Sequence, residues 1–487
     1  MNIQNLIQLC NPLDFSRVEI PDDVGPIYQD SRQVTEGSVF IAIRGTEVDG
    51  HLFIDDAIRK GAKVVICEEP FYTEKPDVCI IEVENSRSLL GPLAQAFAGN
   101  PARKMKVIGI TGTNGKTTTA TLVYQVLSAC GKKVSLLGTV SKYILDEVSD
   151  SKLTTSDPIE MANDMKAMVE TGSEFLVMEV SSHALDQARV GGFDFEVGAF
   201  TNLTHDHLDY HHTVEAYAEA KKILFDNLSA SATAIVNIDD PHGGFMLEDC
   251  DAKILTFSFE KGENHILSNT TEGITIVLNG THIKSPLIGK FNAYNVAEAF
   301  LICQALGLKT PCITEALKTA KGAPGRMEPV SINPEVPHPL ALVDYAHTPD
   351  ALENALSTLF HLKKKHQKLV VVFGAGGDRD AAKRPKMAVA AEKYADLIIV
   401  TSDNPRSENP DVIIADILQG FDSLENVISL TSREKAITRA VEEAGTRDII
   451  LVAGKGHENY QEINRVRHHF DDREVLALAL RNKYLEA

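Results

Sequence analysis

The central feature of the chain is the sequence Val-Ile-Gly-Ile-Thr-Gly-Thr-Asn-Gly-Lys-Thr-Thr-Thr at residues 107–119. An apolar run leads into a glycine-containing turn, which is followed by Lys116, three threonines and the helix-like segment Ala120 to Ala129. This order of strand, loop and helix turns backbone N–H groups toward a helix N-terminus, where partial positive charge favours phosphate. Lys116 would reach the outer phosphates of a nucleotide, and Thr117 would offer a hydroxyl to Mg²⁺.

The loop is a variant of the regular phosphate-binding loop. The regular pattern has glycine five residues before Gly115, whereas this chain has Ile110. The alternative interpretation is a glycine-rich turn followed by a surface lysine. Because strand, loop, Lys-Thr-Thr and helix all occur in order, the sequence favours a nucleoside triphosphate site.

Composition places the chain among globular proteins of several domains. Its 487 residues are 44% hydrophobic and 24% charged, and a chain of this length usually contains about three domains of ~150 residues. Acidic residues outnumber basic residues 68 to 48, which gives a net charge of −20. This balance argues against a nucleic-acid partner and against an anionic membrane surface.

The sequence also predicts a cellular compartment. Residues 1–10 lack a basic region followed by an apolar core, and no run of about 18 apolar residues occurs. The seven cysteines form no Cys-x-x-Cys pair, so we expect buried, reduced thiols. Together with the ATP requirement, these features indicate a cytoplasmic protein, and since nothing in the sequence suggests an oligomer interface, we expect a monomer.

The pattern of strands and helices predicts an α/β fold of three domains. Residues 1–100 form a small N-terminal α/β domain, residues 101–326 a central P-loop-type ATPase domain with a parallel sheet, and residues 327–487 a C-terminal Rossmann-like domain. Residues 254–288 alternate in polarity and carry turn signals, which predicts a small β insertion.

Many of the predicted strands end in polar residues, which is typical of an α/β sheet with a ligand site along one edge. The Gly374-Ala375-Gly376 segment has Arg379 where a dinucleotide fingerprint needs its third glycine, so we do not expect an NAD site. The predicted strands are residues 38–43, 64–67, 78–83, 175–180, 197–200, 234–237, 340–343, 369–373, 397–400 and 449–452.

Two segments of the central domain have the side chains of a metal site. Glu179, at a strand end, is either a Mg²⁺ ligand or a carboxylate that caps Ser181 or Ser182, and the residues alone leave these alternatives even. The run His205 to His212 is rich in histidine, which suggests zinc, but Tyr210 interrupts the pattern of a dinuclear hydrolase. Beside a nucleotide loop we therefore favour Mg²⁺.

The pair Lys221-Lys222 lies on a predicted helix, Val214 to Leu228. Adjacent lysines on a helix usually form a solvated face, and this is the interpretation that the residues alone support. Arg326 closes the central domain, and Asp344 opens the next. Charged groups at a domain junction suit a bound ligand.

Six motifs occur in one order along the chain: Thr-Gly-Thr-Asn-Gly-Lys-Thr-Thr, Glu-Val-Ser-Ser-His, Asn-Leu-Thr-His-Asp-His-Leu-Asp, Gly-Lys-Phe-Asn-Ala-Tyr-Asn, Pro-Gly-Arg-Met-Glu and Asp-Tyr-Ala-His-Thr-Pro-Asp. In this respect the chain resembles the Mur ligase family, ATP-dependent amide-bond ligases of peptidoglycan precursor synthesis. The resemblance spans all three domains. It is strongest to members that add the third peptide residue, and Asp403-Asn404-Pro405-Arg406 is similar to the tetrapeptide associated with diaminopimelate.

The resemblance implies roles for individual residues. The catalytic residues would be Lys116, His207 and Lys221. The metal ligands would be Thr117, Glu179, His207 and Lys221 as a carbamate. ATP would be bound by Gly112, Thr113, Asn114, Gly115, Lys116, Thr117, Thr118, Asn295, Arg326 and Asp344. The UDP-linked substrate would be bound by Ser31, Thr46, Glu47, Val48, Thr154, Thr155, Ser181, Gln187 and Arg189. Diaminopimelate would be bound by Arg379, Asp403, Asn404, Pro405, Arg406, Gly454 and Glu458.

The implied reaction uses ATP and Mg²⁺ to join meso-diaminopimelate to UDP-N-acetylmuramoyl-L-Ala-D-Glu through an acyl phosphate. The partners are therefore small molecules, with no nucleic acid and no membrane. Four alternatives remain open: the same ligase using L-lysine, a folylpolyglutamate synthetase, a P-loop GTPase or signalling ATPase, and a zinc hydrolase. Arg406 argues against lysine, the residues before the ATP loop against the synthetase, and the missing Asn-Lys-x-Asp segment against a GTPase.

Overall fold

The computed structural model describes residues 1–16, 22–45, 48–145, 147–333 and 335–485. Two compact units are present: residues 1–261 with 298–313, and residues 262–297 with 314–487. The predicted domain boundaries after residues 100 and 326 stay predictions. No helix in the described ranges has the length and apolar character needed to cross a bilayer.

A five-stranded sheet forms the first layer of the first unit. Its order is β1-β5-β4-β3-β2, in which β2, β3, β4 and β5 run parallel, and both of its faces are covered by apolar clusters. The elements are α1 (Ile3–Cys10), β1 (Asp14–Phe15), β2 (Ile27–Tyr28), β3 (Val39–Ile41), α2 (Ile54–Arg59), β4 (Val64–Cys67), β5 (Cys79–Glu82) and α3 (Ser86–Phe97).

An eight-stranded sheet forms the rest of the first unit, in the order β13-β12-β11-β6-β10-β7-β8-β9. The elements are β6 (Lys106–Thr111), α4 (Lys116–Ala129), β7 (Val134–Leu137), β8 (Ser141–Ile144), β9 (Glu147–Asp150), α5 (Pro158–Thr171), β10 (Phe175–Glu179), α6 (Ser182–Asp186), β11 (Phe195–Phe200), α7 (Leu208–His211), α8 (Val214–Asp226), β12 (Thr233–Asn237), α9 (Gly243–Met246) and β13 (Lys253–Phe257).

The register of the central strands explains where the nucleotide loop lies. β6 lies between β10 and β11 and runs parallel to both, with Ile110 opposite Glu179 and Thr111 opposite Phe200. The carboxyl ends of these three strands therefore meet at one edge of the sheet, as the sequence predicts. The apolar strand residues are fully buried, consistent with a parallel sheet covered on both faces.

Three strands and two helices follow: β14 (His265–Thr270), β15 (Gly273–Leu278), β16 (Thr281–Ser285), α10 (Lys290–Ala305) and α11 (Thr310–Leu317). The antiparallel sheet β14-β15-β16 is the predicted insertion, but it is smaller than predicted. Residues 253–257 pair in parallel with β12 at the edge of the central sheet. Four of these five residues are exposed because the strand lies at the edge of the sheet, so assigning residues 254–257 to the insertion was wrong.

The C-terminal part of the second unit is a doubly wound sheet, in the order β17-β18-β22-β19-β20-β21. Alternate residues of its strands enter two apolar clusters, one on each face. The elements are β17 (Glu328–Val330), β18 (Leu340–Asp344), α12 (Pro349–Leu362), β19 (Leu369–Phe373), α13 (Lys383–Tyr394), β20 (Leu397–Thr401), α14 (Pro410–Leu418), β21 (Val427–Leu430), α15 (Arg433–Glu443), β22 (Ile449–Ala453), β23 (Tyr460–Ile463), β24 (Val466–His469) and α16 (Asp472–Tyr484).

A disulfide bond joins Cys130, at the end of α4, to Cys312 in α11, with Cα atoms 6.0 Å apart. The other five cysteines are free thiols. The expectation that all seven are reduced is therefore wrong for this pair, because a separation of 182 residues hides the pairing from local sequence patterns. On a chain-entropy model, closing a loop of this length stabilises the fold by about 5 kcal/mol.

Candidate functional site

The nucleotide loop connects β6 to α4 and depends on two glycines. Gly112 has φ +144° and Gly115 has φ +90°, conformations that side chains rarely tolerate. The helix begins at Lys116, so the loop presents its N–H groups at a helix N-terminus. Lys116 Nζ donates to the carbonyl oxygens of Gly112 at 2.8 Å and Thr113 at 2.9 Å. The predicted lysine thus lies over the loop that it would serve.

The segment after β11 braces the loop from behind. The backbone N–H of Thr113 donates to the Asn202 carbonyl at 2.8 Å, and that of Asn114 donates to Asn202 Oδ1 at 3.0 Å. Thr201 Oγ1 donates to the Asn114 carbonyl at 2.6 Å. These bonds fix the shape of the loop before any nucleotide arrives, which lowers the ordering cost of binding.

Glu179 lies at the end of β10, almost fully buried, beside the start of α4. Its Oε2 accepts hydrogen bonds from Thr117 Oγ1 at 2.9 Å and Thr139 Oγ1 at 3.0 Å, and its Oε1 accepts from the Thr139 N–H at 2.7 Å. Its carboxylate caps neither Ser181 nor Ser182 in these contacts; Ser181 Oγ itself caps α6. The capping alternative is therefore wrong, and two candidate Mg²⁺ ligands are neighbours.

The donor set at this position fits magnesium. A buried carboxylate and a hydroxyl are the hard oxygen ligands that Mg²⁺ prefers, and the ion commonly takes its remaining ligands from phosphates and water. Across the described ranges, no group of three or more histidine, cysteine, aspartate or glutamate side chains is arranged to hold a metal ion. The histidine-rich segment therefore gives no support to a zinc centre in those ranges.

Lys221 lies on α8 with its side chain buried. Its Nζ donates to the Gly112 carbonyl at 2.9 Å and lies 4.3 Å from the centre of the Tyr217 ring. Burial lowers the pKa of this amine well below its ordinary value, and nearby Lys116 lowers it further. The solvated-face interpretation is wrong for Lys221, because the side chain turns toward the nucleotide loop while Lys222 forms an ion pair with Asp226.

The histidines after β11 form an aromatic cluster. The rings of His183 and His207 lie 5.0 Å apart, and those of His183 and Tyr210 lie 4.2 Å apart. His211 is buried and hydrogen-bonded through Nε2 to Ser182 Oγ at 2.9 Å, which is the environment of a structural histidine. His207 is half-exposed, and burial lowers its pKa, with Asp206 opposing the shift.

A cleft of about 950 Å³ opens in the first unit. Ser31, Val48 and Gln187, all predicted to contact the UDP-linked substrate, line it together with Arg32 and Arg87. Thr46 and Glu47, predicted for the same site, lie outside the described residues.

The residues predicted at the peptide end of that substrate form one hydrogen-bonded group. Thr155 Oγ1 donates to the Glu179 carbonyl at 2.8 Å and accepts from the Ser181 N–H at 3.1 Å. Arg189 donates to the Thr155 carbonyl at 2.9 Å and to Gln187 Oε1 at 2.7 Å. Thr154 joins the group through Thr139 Oγ1 at 3.1 Å. The structure thus brings the predicted peptide-end residues together beside Glu179.

The second unit holds another polar cluster, at the carboxyl ends of β19, β20 and β22. Asn404 Nδ2 donates to Glu458 Oε2 at 2.8 Å. Asp403 is buried, and its Oδ2 has no hydrogen-bond partner within the part of the chain that is described. A Cβ atom at residue 454 would lie only 2.6 Å from Asp403 Oδ2, which explains why this position is glycine. We call the cluster of Asp403, Asn404, Arg406 and Glu458 the amino-acid pocket, after the binding role that the sequence predicts for these residues.

Two predicted arginines border the amino-acid pocket. Arg406 Nη1 donates to the Gly377 carbonyl at 2.7 Å, and a side chain on Gly376 would meet that guanidinium at 2.9 Å. Burial lowers the pKa of neighbouring Lys383; the Asp403 carboxylate opposes the shift, and the charges of Arg379 and Arg406 add to it. Three cations therefore lie near the pocket.

Arg406 is held by its backbone as well as by its side chain. Its φ is +51°. Its N–H donates to the Glu462 carbonyl at 3.0 Å, and its carbonyl accepts from the Asn464 N–H at 2.6 Å. The segment carrying Arg406 is thus fastened to the β23–β24 hairpin. Predicted Pro405 precedes it, and its carbonyl accepts from the Glu408 N–H at 2.9 Å.

The remaining predicted nucleotide residues belong to the second unit. Asp344 is buried and accepts from the backbone N–H groups of Met327 at 2.7 Å and Ala346 at 2.8 Å. Burial raises its pKa, and Arg326 opposes the shift. Arg326 lies 4.8 Å from the centre of the Tyr345 ring. Asn295 is buried and donates to Asn292 Oδ1 at 2.9 Å. Their role at ATP stays a prediction.

Sequence reasoning missed three residues near the predicted ones: Thr139 and Lys455, which hydrogen-bond to them, and Arg87, which lines the cleft. Thr139 follows strand β7, and a polar residue at that strand end was the available signal. Lys455 lies between two residues assigned to the pocket, Gly454 and Glu458. Nothing in the local sequence of Arg87 separates it from a solvated arginine on α3.

Comparison with known proteins identifies the family of the chain. Three family profiles match in succession: "Mur ligase family, catalytic domain" at residues 26–98, "Mur ligase middle domain" at 110–303 and "Mur ligase, glutamate ligase domain" at 325–456. A relative from Parabacteroides distasonis, named UDP-N-acetylmuramoyl-L-alanyl-D-glutamate–2,6-diaminopimelate ligase, is 46% identical over 93% of this chain and 94% of its own length.

Solved structures agree on the fold. A structure of a UDP-N-acetylmuramoyl-L-alanyl-D-glutamate–2,6-diaminopimelate ligase matches with a TM-score of 0.70 and 33% identity, over 95% of this chain and 96% of that one. A folylpolyglutamate synthase from Mycobacterium tuberculosis matches with a TM-score of 0.59 and 18% identity, over 81% of this chain and 95% of that one. The second likeness shows a shared fold alone.

The family profiles and the relatives at 33–46% identity identify an ATP-dependent ligase with a three-domain α/β fold. The chain belongs to the Mur ligase family.

Proposed function

We propose that the chain joins meso-diaminopimelate to UDP-N-acetylmuramoyl-L-Ala-D-Glu at the expense of ATP. The relatives that match over almost their whole length carry this activity in their names. The observation in the chain itself that carries the proposal is the charge pattern of the amino-acid pocket. The pocket combines the Arg406 guanidinium, which can hold a carboxylate, with the carboxylates of Glu458 and Asp403, which can hold an ammonium. In the described part of the chain, Asp403 Oδ2 has no hydrogen-bond partner.

Diaminopimelate has a carboxylate and an amine at each end, whereas lysine lacks the carboxylate at its far end. Arg406 can hold that carboxylate with two parallel hydrogen bonds, and Glu458 and Asp403 can receive an ammonium. Lysine would leave a guanidinium without its anion. An unpaired charged donor costs a few kcal/mol, which corresponds to roughly 10²-fold selectivity or more.

The reaction must activate a carboxylate that does not condense with an amine in water. The γ-carboxylate oxygen of D-glutamate attacks the γ-phosphorus of ATP, giving an acyl phosphate and ADP. The free amine of diaminopimelate then attacks the acyl carbon, the amide forms, phosphate leaves and the amine loses a proton. Lys116 offsets charge on the transferring phosphoryl group, and the loop N–H groups orient the nucleotide.

We assign Mg²⁺ to Thr117 and Glu179, with His207 as a further ligand. When bound, the ion supplies charge neutralisation at the phosphates. The hydrogen bond between Thr117 and Glu179 and the buried carboxylate support this assignment. Titration of the protein with Mg²⁺ and an ATP analogue, in the parent and in Glu179→Gln, tests it. Equal nucleotide affinity in the two proteins at saturating Mg²⁺ would contradict it.

We also assign Lys221 as a carbamate. A neutral amine adds carbon dioxide to give a carbamate anion and a proton, and the buried position of Lys221 beside the loop favours the neutral amine. Phosphate release should fall in carbon-dioxide-free buffer and recover with bicarbonate. Lys221→Met should abolish the response. A parent enzyme indifferent to bicarbonate, with no carbamate signal after ¹³C-bicarbonate labelling, would refute the assignment.

The test of the proposed function is phosphate release with UDP-N-acetylmuramoyl-L-Ala-D-Glu, Mg²⁺ and ATP, with meso-diaminopimelate or L-lysine added separately. We expect release with diaminopimelate alone. Release with lysine would keep the ligase activity and overturn the pocket assignment. Release with neither would mean that neither compound is the acceptor, and it would contradict the proposed function. We further propose that the enzyme acts in the cytoplasm as a monomer, and the Cys130–Cys312 disulfide removes reduced thiols from the support for that compartment. Light scattering of the purified protein tests the monomeric state.

A further inference from the structure

Lys455 is a fully buried lysine two residues after the end of β22, in contact with the amino-acid pocket. Its Nζ donates to Asn404 Oδ1 at 3.1 Å and to Glu458 Oε2 at 3.1 Å. It also lies 5.3 Å from the centre of the Tyr460 ring. A buried ammonium is costly unless it is paired and hydrogen-bonded. Both of its polar partners are pocket residues, so its charge is committed to the pocket.

The contacts of Lys455 determine how the Asn404 amide is turned. An ammonium can only donate hydrogen bonds, so Asn404 must present its oxygen to Lys455. The Glu462 N–H donates to the same oxygen at 2.9 Å. With the oxygen fixed by two donors, the Asn404 NH₂ group points to Glu458 Oε2 at 2.8 Å. The same Glu458 oxygen therefore accepts from both Asn404 and Lys455.

A second buried cation of the same unit makes a contrast. Arg433 is also fully buried, but it pairs with Asp472 at 2.7 Å and donates to the backbone carbonyls of Ala453 at 2.9 Å and Ser402 at 3.5 Å. Those contacts support the chain where two strands end. Lys455 instead contacts the functional side chains themselves.

We propose that Lys455 is a positioning residue of the amino-acid pocket: from below, it locks Asn404 and Glu458 in the orientation that receives the ammonium end of the incoming diamino acid. The inference rests on the proposed function, because it takes the pocket to be the amino-acid site. Being fully buried, Lys455 does not itself touch the substrate. It acts through Glu458, and its removal therefore weakens amino-acid binding selectively.

The first experiment measures the Michaelis constants of the full-length enzyme and of Lys455→Met for each substrate, by phosphate release. We expect the KM for diaminopimelate to rise about 10²-fold, the size of losing charge-assisted hydrogen bonds at a buried site, while those for ATP and the nucleotide-linked substrate stay within about twofold. Lys455→Gln keeps a hydrogen-bond donor without the charge, so its KM for diaminopimelate should lie between those of the parent and of Lys455→Met. Equal rises in all three KM values would overturn the proposal.

A matched control separates positioning from stability. Lys483 Nζ donates to the carbonyls of Val441, Glu442 and Ala444, all in the same unit and outside the pocket. Lys483→Met should lower the melting temperature and leave every KM unchanged. A rise in the diaminopimelate KM for this variant equal to that of Lys455→Met would show that the effect is only loss of stability.

A double-mutant cycle with Glu458→Gln tests the route of action. If Lys455 works through Glu458, adding Lys455→Met to Glu458→Gln should change the KM less than about threefold, because coupled neighbours are not additive. If the effects of the two substitutions on the KM multiply in the double variant, the inference is refuted. If Lys455→Met does not fold, the cycle is run with Lys455→Gln.

The cycle uses whichever of diaminopimelate and lysine supports phosphate release in the parent enzyme. A failure of the proposed diaminopimelate specificity thus appears in the parent, before any variant is compared. A failure of the positioning role appears only in the cycle.

Discussion

Replacing Gly112 by alanine should disable the nucleotide site while leaving the fold intact. The φ of Gly112 is +144°, and a Cβ there would lie 1.9 Å from Thr201 Oγ1 and 3.0 Å from the Asn202 carbonyl oxygen. Since real Cβ contacts are essentially never shorter than 3.0 Å, Thr201 must retreat by at least about 1 Å. That movement breaks the bond from Thr201 to the Asn114 carbonyl, which now measures 2.6 Å.

The cost can be estimated from these two effects. A residue held in such a backbone region costs roughly 1–3 kcal/mol, and the lost hydrogen bond adds about 1 kcal/mol. The sum of about 2–4 kcal/mol falls on the loop that binds the phosphates, and 1.4 kcal/mol is a factor of ten in affinity. We therefore expect ATP to bind about 30-fold to 700-fold more weakly.

Calorimetric titration with a non-hydrolysable ATP analogue measures this loss, with circular dichroism to confirm the fold. Gly131, just after the same helix, supplies the control: its φ is +76°, but a Cβ there meets nothing within 4 Å. Gly131→Ala should lower stability by about 1 kcal/mol and leave ATP affinity unchanged. Adding Thr201→Ala to Gly112→Ala should recover part of the affinity. A Gly112→Ala affinity within threefold of the parent would refute the reasoning.

Three further outcomes are expected. Arg406→Ala should raise the KM for diaminopimelate about 10²-fold in the phosphate-release assay and leave ATP affinity unchanged; full activity on diaminopimelate would exclude Arg406 from the pocket. Thiol titration of denatured protein should find five thiols before reduction and seven after it, and seven beforehand would show that Cys130 and Cys312 are not bonded. Arg433→Met should destabilise the fold by about 3–5 kcal/mol because Asp472 stays buried and unpaired. If denaturant melts find the double variant Arg433→Met/Asp472→Leu no more stable than Arg433→Met, the unpaired carboxylate is not the cause.

The sequence was most informative where local order carries the chemistry. The nucleotide loop could be predicted because strand, glycine turn, lysine and helix are contiguous, and the phosphate site is made mainly by backbone. Strand ends were predictable for the same reason, since parallel strands bring their carboxyl ends to one edge. The same reasoning put Glu179 at a strand end in the domain of the nucleotide loop, but it left open whether this carboxylate binds Mg²⁺ or caps a serine.

Local sequence could not predict features that depend on packing between distant segments. Lys221 and Lys222 are adjacent and chemically identical, yet Lys221 donates to the Gly112 carbonyl, whereas Lys222, with 12% of its side chain exposed, pairs with Asp226 on its own helix. Their difference is a matter of which helix face meets the rest of the fold. Cys130 and Cys312 are likewise joined by tertiary contact alone. Family resemblance supplied the role of Lys221, which composition and periodicity had pointed away from.

The fastening of Arg406 to the β23–β24 hairpin has a consequence for protein engineering. The backbone of Arg406 is hydrogen-bonded to Glu462 and Asn464. The direction of the Arg406 side chain therefore depends on a segment more than fifty residues further along the chain. Transferring the tetrapeptide Asp403 to Arg406 into a relative would transfer the four residues without the hairpin that orients Arg406. A transfer meant to test the proposed role of Arg406 in substrate choice therefore has to exchange the loop and the hairpin together.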